Sequence, residues 1–488
     1  MNYAIILKTL SAVMWIMALA FSTCAGVSCW YSNNPLEANA LESWICVIAL
    51  TIMTAFALYI PSRKAPKRLF RKEAMCIIGI AWILASVVGA IPYVMILDCS
   101  VASALFESTS GITTTGSSAF SSFAKFPPSL MFWRCLSHWI GGLGVVVFFV
   151  AILSFLGAAG KFLYSNEASA DSTDFEAARI QSGIWSIVKL YLVLSICCFG
   201  AYKYFDMSTF DAICHTFSVV ATGGFSTHEN SFANYGLGIL WTTIIFMFLG
   251  GTSFALMLAV AKLKFKKLFE NSEFWTYLII IFTAVCIVFT TVAYTSNKSI
   301  LETFTHSVFQ VVSIITTTGF SSQNYQMWLP AAQIVLVLLT VLGGCSGSTA
   351  GGLKISRALA SFRLCKREVE KSFRPRVVRN VFVNGKTIGT EEANDILSFF
   401  VLYMLIASFS ITVLALFEPK LSITGNLTAV LASLSNVGPG FAEIGCDSTY
   451  GVLNDISQVM LAFLMIMGRL EIYAVLVLFM PSLWKKFQ

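Results

Sequence analysis

Ile315-Thr316-Thr317-Thr318-Gly319-Phe320-Ser321 is the stretch on which the reading turns, because it occurs four times in altered form. The first counterpart is Ser110-Gly111-Ile112-Thr113-Thr114-Thr115-Gly116-Ser117 and the second is Val219-Val220-Ala221-Thr222-Gly223-Gly224-Phe225-Ser226. The fourth is Ser435-Asn436-Val437-Gly438-Pro439-Gly440-Phe441. Each follows a short segment of helix-compatible character, near 100–115, 208–223, 301–317 and 422–436, and precedes a long apolar run. An internal repeat with this period turns a bundle of spans into two spans plus four repeated units.

The surroundings are those of a membrane protein. Of 488 residues, 57% are hydrophobic and 12% charged, with a mean hydropathy of +0.77. A soluble chain would carry about twice that charged fraction. Apolar runs of spanning length recur near 4–30, 41–60, 74–97, 130–156, 184–205, 237–260, 274–295, 328–363, 393–417 and 456–480. The four short segments cannot cross a bilayer, so they are expected to dip in as helices and return through buried turns. The first run, from about Tyr3 to Trp30, is too long for a signal-peptide core and is followed at once by another span, so it is expected to be retained. The cysteines lie mostly in apolar runs and act as small hydrophobes rather than as a disulfide framework.

Charge sets the orientation. Clusters at Arg63, Lys64, Lys67, Arg68, Arg71 and Lys72, at Lys262–Lys267, from Lys354 to Lys386, and at Lys485 and Lys486 all fall on one side of the predicted membrane. By the positive-inside rule that side is cytoplasmic, which puts both termini inside. Acids such as Glu107, Asp211, Glu302 and Asp447 gather on the other side, from which the four short segments enter. The rule already accounts for the basic clusters, and no nucleic-acid contact is expected.

The expected fold is therefore an all-α polytopic membrane protein, with four pseudo-symmetric helix–pore-loop–helix repeats around one pore and two extra N-terminal transmembrane helices. The units are 1–66 (the N-terminal pair), 67–160, 161–266, 267–386 and 387–488 (repeats one to four), the third containing a Gly-rich intramembrane loop.

Thr and Gly recur in the loops for a physical reason. A cation leaving water needs several oxygen ligands, and backbone carbonyls supply them without a trapping charge. Successive carbonyls share one axis only if some residue takes a backbone conformation that glycine tolerates best. The short helix before each turn aims its negative C-terminal end at the centre. Four such loops make a ring of ligands for a monovalent cation.

Five segments carry a family resemblance. They are His138-Trp139-Ile140-Gly141-Gly142-Leu143-Gly144, Ala221 through His228, Gly343 through Lys354, Asn436-Val437-Gly438-Pro439-Gly440, and Met467-Gly468-Arg469-Leu470-Glu471-Ile472. Together they run along the whole chain, which resembles the TrkH family, the membrane subunit of bacterial Trk potassium uptake systems, in the superfamily that includes KtrB. The additional N-terminal pair of spans favours the TrkH branch. The resemblance implies that Gly116, Gly224, Gly319 and Gly438 are selectivity glycines. It also implies that backbone oxygens of Thr114, Thr115, Thr222, Gly223, Thr317, Thr318, Asn436 and Val437 bind K⁺, the transported ion. Thr222 and Thr318 stand where many relatives carry an aliphatic residue or alanine, a change that backbone coordination survives. The resemblance further implies a homodimer in the lipid of the bacterial inner membrane, with a TrkA-like cytosolic subunit that binds nucleotides. This chain itself has no Walker A motif, and neither an enzymatic activity nor a cofactor is expected.

Two features suggest a gate. The eighth span is broken by Gly343, Gly344, Gly347, Gly351 and Gly352, too many glycines for an unbroken helix. Arg469 and Glu471 lie within the last span, where a charge costs several kcal/mol unless paired or hydrated. They either pair with each other or a neighbouring helix, or Arg469 stands beside the ion path and raises a barrier. Two other function classes compete. A proton- or sodium-coupled symporter would favour inverted repeats, whereas these repeats enter from one side. A membrane haem protein needs facing histidines on spanning helices, and of His138, His215, His228 and His306 only His138 is expected on a full span.

Overall fold

Long apolar runs become helices here because a chain in hydrocarbon must satisfy its backbone internally. A computed structural model of the chain describes residues 1–65, 71–162, 171–296, 298–375 and 380–484; for residues 71, 146–162 and 171–182 only the backbone is described. Lys67, Arg68, Arg376, Arg379, Lys485 and Lys486 of the basic clusters lie outside these residues.

The N-terminal pair is α1 (Tyr3–Trp30) and α2 (Ala40–Tyr59). The buried Glu37 carboxylate fastens it to the rest of the molecule, accepting from Ser28 Oγ at 2.7 Å and from the Ser129 amide and hydroxyl at 2.6 and 2.8 Å.

Four similar units follow. The first is α3 (Arg71–Leu97), the short α4 (Val101–Ile112) and α5 (Pro128–Phe162). The second is α6 (Asp171–Tyr204), the short α7 (Thr209–Val220), and the pair α8 (Leu237–Gly250) and α9 (Phe254–Ala261). After the four-residue α10 (Lys266–Phe269), the third has α11 (Ser272–Thr295), the short α12 (Ile300–Ile315), α13 (Pro330–Val341) and α14 (Ile355–Phe373). A hairpin of β1 (Phe382–Val383) and β2 (Lys386–Thr387) leads onward, its turn made by Asn384 and Gly385 with φ of 52° and 77°. This is the two-residue turn that the Asn-Gly pair favours. The fourth unit has α15 (Thr390–Phe417), the short α16 (Ile423–Leu434), α17 (Asp455–Arg469) and α18 (Tyr473–Leu476), before the terminal turn α19 (Pro481–Trp484).

Each short helix begins in the same way. Ser100, Ser208, Ser299 and Ser422 are its N-caps, and their hydroxyls accept from the amides of Ser103, Asp211, Glu302 and Gly425. The cap at a common position is a repeat signal beside the Thr/Gly turns.

Among the described residues, six helices are long and apolar enough to cross a membrane, and two bent pairs raise this to eight. The sixth expected span bends by 102° between α8 and α9, and the tenth by 114° between α17 and the turn after it. The eighth is α13 followed by the irregular segment 342–354.

Candidate functional site

The four turns share one backbone. Thr114, Thr222, Thr317 and Asn436 lie at φ of 53°, 53°, 56° and 56°, and Gly116, Gly224, Gly319 and Gly438 at 82°, 89°, 81° and 104°. A left-handed threonine is an outlier, since its branched Cβ crowds the backbone. Such conformations cost about 1–3 kcal/mol each and persist where the surroundings fix them. They end the short helices in a repeated pattern. The amides of Thr114, Thr222, Thr317 and Asn436 donate to the carbonyl three residues back, and those of Thr115, Gly223, Thr318 and Val437 to the carbonyl five back. These bonds close each helix as a Schellman-type cap.

The turns also close on one another. A Cβ built on Gly116 would overlap the Gly223 carbonyl oxygen, one on Gly224 that of Thr318, and one on Gly319 that of Val437. On Gly438 it would lie 2.6 Å from the carbonyl oxygen of Thr115. The order runs from loop one to two, three, four and back to one, so all twelve residues expected in the loops are brought around one axis. At these four positions glycine is demanded twice over, by its φ and by the neighbouring carbonyl. Loops one and three are stiffened by hydroxyl pairs, Thr113 with Thr115 and Thr316 with Thr318, each at 2.7 Å. Asn436 Nδ2 ties the fourth loop to Thr115 Oγ1 at 3.0 Å and to the Met465 carbonyl at 2.8 Å.

The Gly-rich segment lies against this ring. Gly351 donates its amide to Thr317 Oγ1 at 2.7 Å, and Thr222 Oγ1 donates to Thr349 Oγ1 at 3.1 Å. A Cβ on Gly351 would sit 2.8 Å from that of Asn436, so the segment touches the second, third and fourth loops. Its other contacts explain the bend before α9. The amides of Thr349 and Cys345 take the carbonyls of Gly250 and Gly251, and Phe254 donates to the Gly347 carbonyl. Gly347 and Gly352 turn the segment at φ of 72° and 65°. Gly343 and Gly344 pack too closely against the Gly351 and Gly251 carbonyls to carry a side chain.

Arg469 joins the last helix to the same segment, donating from Nη1 to the Thr349 carbonyl at 2.6 Å. It is buried, and its Nε and Nη2 make no hydrogen bond to the described residues. Glu471 is not its partner. It pairs with Arg357 at 2.5 Å, and both Glu471 and Ile472 are left-handed, at φ of 53° and 64°, where the helix breaks. His215 and His306 hold their own short helices to the following loops, through Ser226 Oγ at 3.0 Å and Ser322 Oγ at 2.9 Å.

Several contacts around the site were not expected from the sequence. Glu273 accepts from the amides of Ser346 and Ser356, Lys354 donates to the Ala350 carbonyl, and Glu107 and Arg134 form a buried pair at 2.7 Å. The principle that marks Arg469, a charge within an apolar run, marks Arg134 equally.

The fold and site together define a class: a multi-pass helical membrane transporter whose chain closes four short helix–turn units into a ring of carbonyl oxygens, chemistry suited to a cation rather than to catalysis. The TrkH profile, described as a cation transport protein, matches residues 42–486. The Trk system potassium uptake protein TrkH of Halomonas elongata is 30% identical over 493 residues, covering the full length of both chains. TrkG of Escherichia coli K12, also a Trk system potassium uptake protein, is 31% identical and covers 97% of each. The crystal structure of the potassium transporter TrkH from Vibrio parahaemolyticus superposes with a TM-score of 0.89 at 27% identity, over 99% of this chain and 100% of that one. This chain belongs to the TrkH family of cation transport proteins.

Proposed function

We propose that this protein takes up potassium across the bacterial inner membrane, through a filter made by the backbone oxygens of Thr114, Thr115, Thr222, Gly223, Thr317, Thr318, Asn436 and Val437. The observation that carries this reading is the closed ring, in which the glycine of each loop meets the carbonyl before the glycine of the next. Carbonyl ligands in a fixed ring replace a hydration shell without adding charge.

The segment containing Gly343, Gly344, Gly347, Gly351 and Gly352 acts as the gate, with Arg469 as its lock. Support comes from the hydrogen bonds of this segment to Thr222 and Thr317 and from Arg469 on Thr349. A buried guanidinium, two of whose donors have no partner among the described residues, also opposes a passing cation electrostatically. The termini lie on the cytoplasmic side. The working unit is a homodimer that opens when a nucleotide-binding cytosolic subunit engages it, as in a Trk system.

Radioactive rubidium uptake into proteoliposomes tests this, with K⁺ or Na⁺ competing and with or without the cytosolic subunit. Uptake suppressed far better by K⁺ than by Na⁺ is expected. Equal suppression by both ions would remove potassium from the reading.

A further inference from the structure

The second loop is braced differently from the others. Where loops one and three carry hydroxyl pairs, it has Ala221 and Gly223, and the adjacent Gly223 and Gly224 are intrinsically the most permissive residue type for backbone conformation. The space behind it is filled by His138 of α5, whose ring atoms a Cβ on Gly223 would overlap. His138 is wholly buried and shares a hydrogen bond through Nδ1 with Ser218 Oγ at 3.0 Å. Ser218 is also the residue whose carbonyl receives the Gly223 amide.

The imidazole stacks on Phe225, with centroids 4.2 Å apart and planes inclined by 14°. One helical turn earlier, the Arg134 guanidinium lies 4.0 Å from the centre of the same Phe225 ring. Arg134 donates to the Ser226 carbonyl at 3.1 Å and to Glu107 at 2.7 Å. Glu107 in turn accepts from the Ala119 amide at 2.9 Å and from the Ser118 hydroxyl. One face of α5 thus grips the residues just after the second turn, and through a single buried ion pair those just after the first.

We infer that Arg134 and His138, acting through Phe225, are positioning residues that hold the second loop's carbonyls at the spacing that favours K⁺ over Na⁺. The inference rests on the filter reading. Gly223 and Gly224 bring no side chain to resist contraction around a smaller ion, and sites lose discrimination when ligands drift by about half an ångström. Phe225 carries the restraint because it follows Gly224 directly and packs against two side chains of one helix, Arg134 and His138.

The test is ion-dependent stabilisation of the purified full-length protein, which needs no open gate. Melting temperatures are titrated with KCl and with NaCl at constant ionic strength, and the half-saturating concentrations are compared. For His138→Ala and Phe225→Ala, the ratio of half-saturating Na⁺ to K⁺ is expected to fall about tenfold. A merely structural role would lower the melting temperature in both salts and leave the ratio where it was. That result, with Gly319→Ser lowering the ratio, would overturn the inference and spare the filter. A ratio unmoved in Gly319→Ser would overturn the filter reading and this inference with it. Should the alanine variants fail to fold, Phe225→Leu and Arg134→Lys decide by the same ratio.

Discussion

The guanidinium of Arg469 holds the carbonyl of Thr349 at 2.6 Å, while the hydroxyl of that same threonine meets Thr222 in the second loop. One residue of the Gly-rich segment is therefore shared between the last membrane helix and the ring. Replacing Arg469 with Ala removes both the bond and the buried charge. A charge-assisted bond contributes about 1.5–3 kcal/mol, so resting rubidium uptake should rise about tenfold without any partner subunit. Unchanged or lower uptake by a well-folded Arg469→Ala protein contradicts the gating role.

Thr317 offers a second handle on the same contact, since its hydroxyl accepts the Gly351 amide at 2.7 Å. Thr317→Val keeps the shape and leaves that amide buried without a partner, at a cost of about 1–3 kcal/mol. Resting uptake should increase about fivefold or more, while Thr317→Ser, which keeps the acceptor, should behave as wild type. Equal uptake by the two variants would show that the bond does not hold the segment closed.

How far the sequence foretold this arrangement depends on the range of the forces involved. Gly116, Gly224, Gly319 and Gly438 were legible because positive φ is a local demand that leaves a residue-type mark, and the same holds for the Asn384-Gly385 turn, although that pair was not singled out. The bend after Gly250 was not legible. It is fixed by amides of Cys345 and Thr349, about a hundred residues away, which take the carbonyls of Gly250 and Gly251. The break at Glu471 depends likewise on Arg357, from a different helix. The partner of Arg469 is a backbone carbonyl, and no sequence pattern names a carbonyl.

In the first turn of α7, Asp211 faces His228, 3.7 Å away. Burial pushes the Asp211 carboxyl up, but hydrogen bonds from His228, Thr227 and Ser208 outweigh it and hold the group well below the usual carboxylate range. The bond to Asp211 holds His228 above the ordinary imidazole value, against partial burial. The Asp211 contribution is present above the usual carboxylate value and fades as pH falls through its lowered one. That of His228 is full below about pH 6.5 and is lost as pH rises through its raised value. The melting-temperature difference between wild type and His228→Gln should therefore be largest near about pH 5.5 and shrink by about pH 9. A difference independent of pH would show that the pair adds nothing through charge.

Helix α5 crosses the end of α4 so closely that a Cβ on Gly141 would overlap the Ile112 carbonyl oxygen. Overpacking of this kind costs about 1–3 kcal/mol, and Gly141→Ala should melt several degrees below wild type. Gly26 of α1 has nothing within 4 Å of a built Cβ. Gly26→Ala should melt at or slightly above wild type, because alanine is the better helix former. Equal melting of the two variants would contradict the close crossing.

The central claim is that four backbone turns of one chain choose the ion, and Gly319 tests it most directly. Its φ is 81° and the Val437 carbonyl occupies the space a side chain would need. Rubidium uptake into proteoliposomes should be measured for wild type and Gly319→Ser with K⁺ or Na⁺ competing. The account predicts that K⁺ competes far better than Na⁺ in wild type and that the serine variant loses most of this difference. Undiminished preference for K⁺ in a folded, conducting Gly319→Ser protein would contradict it.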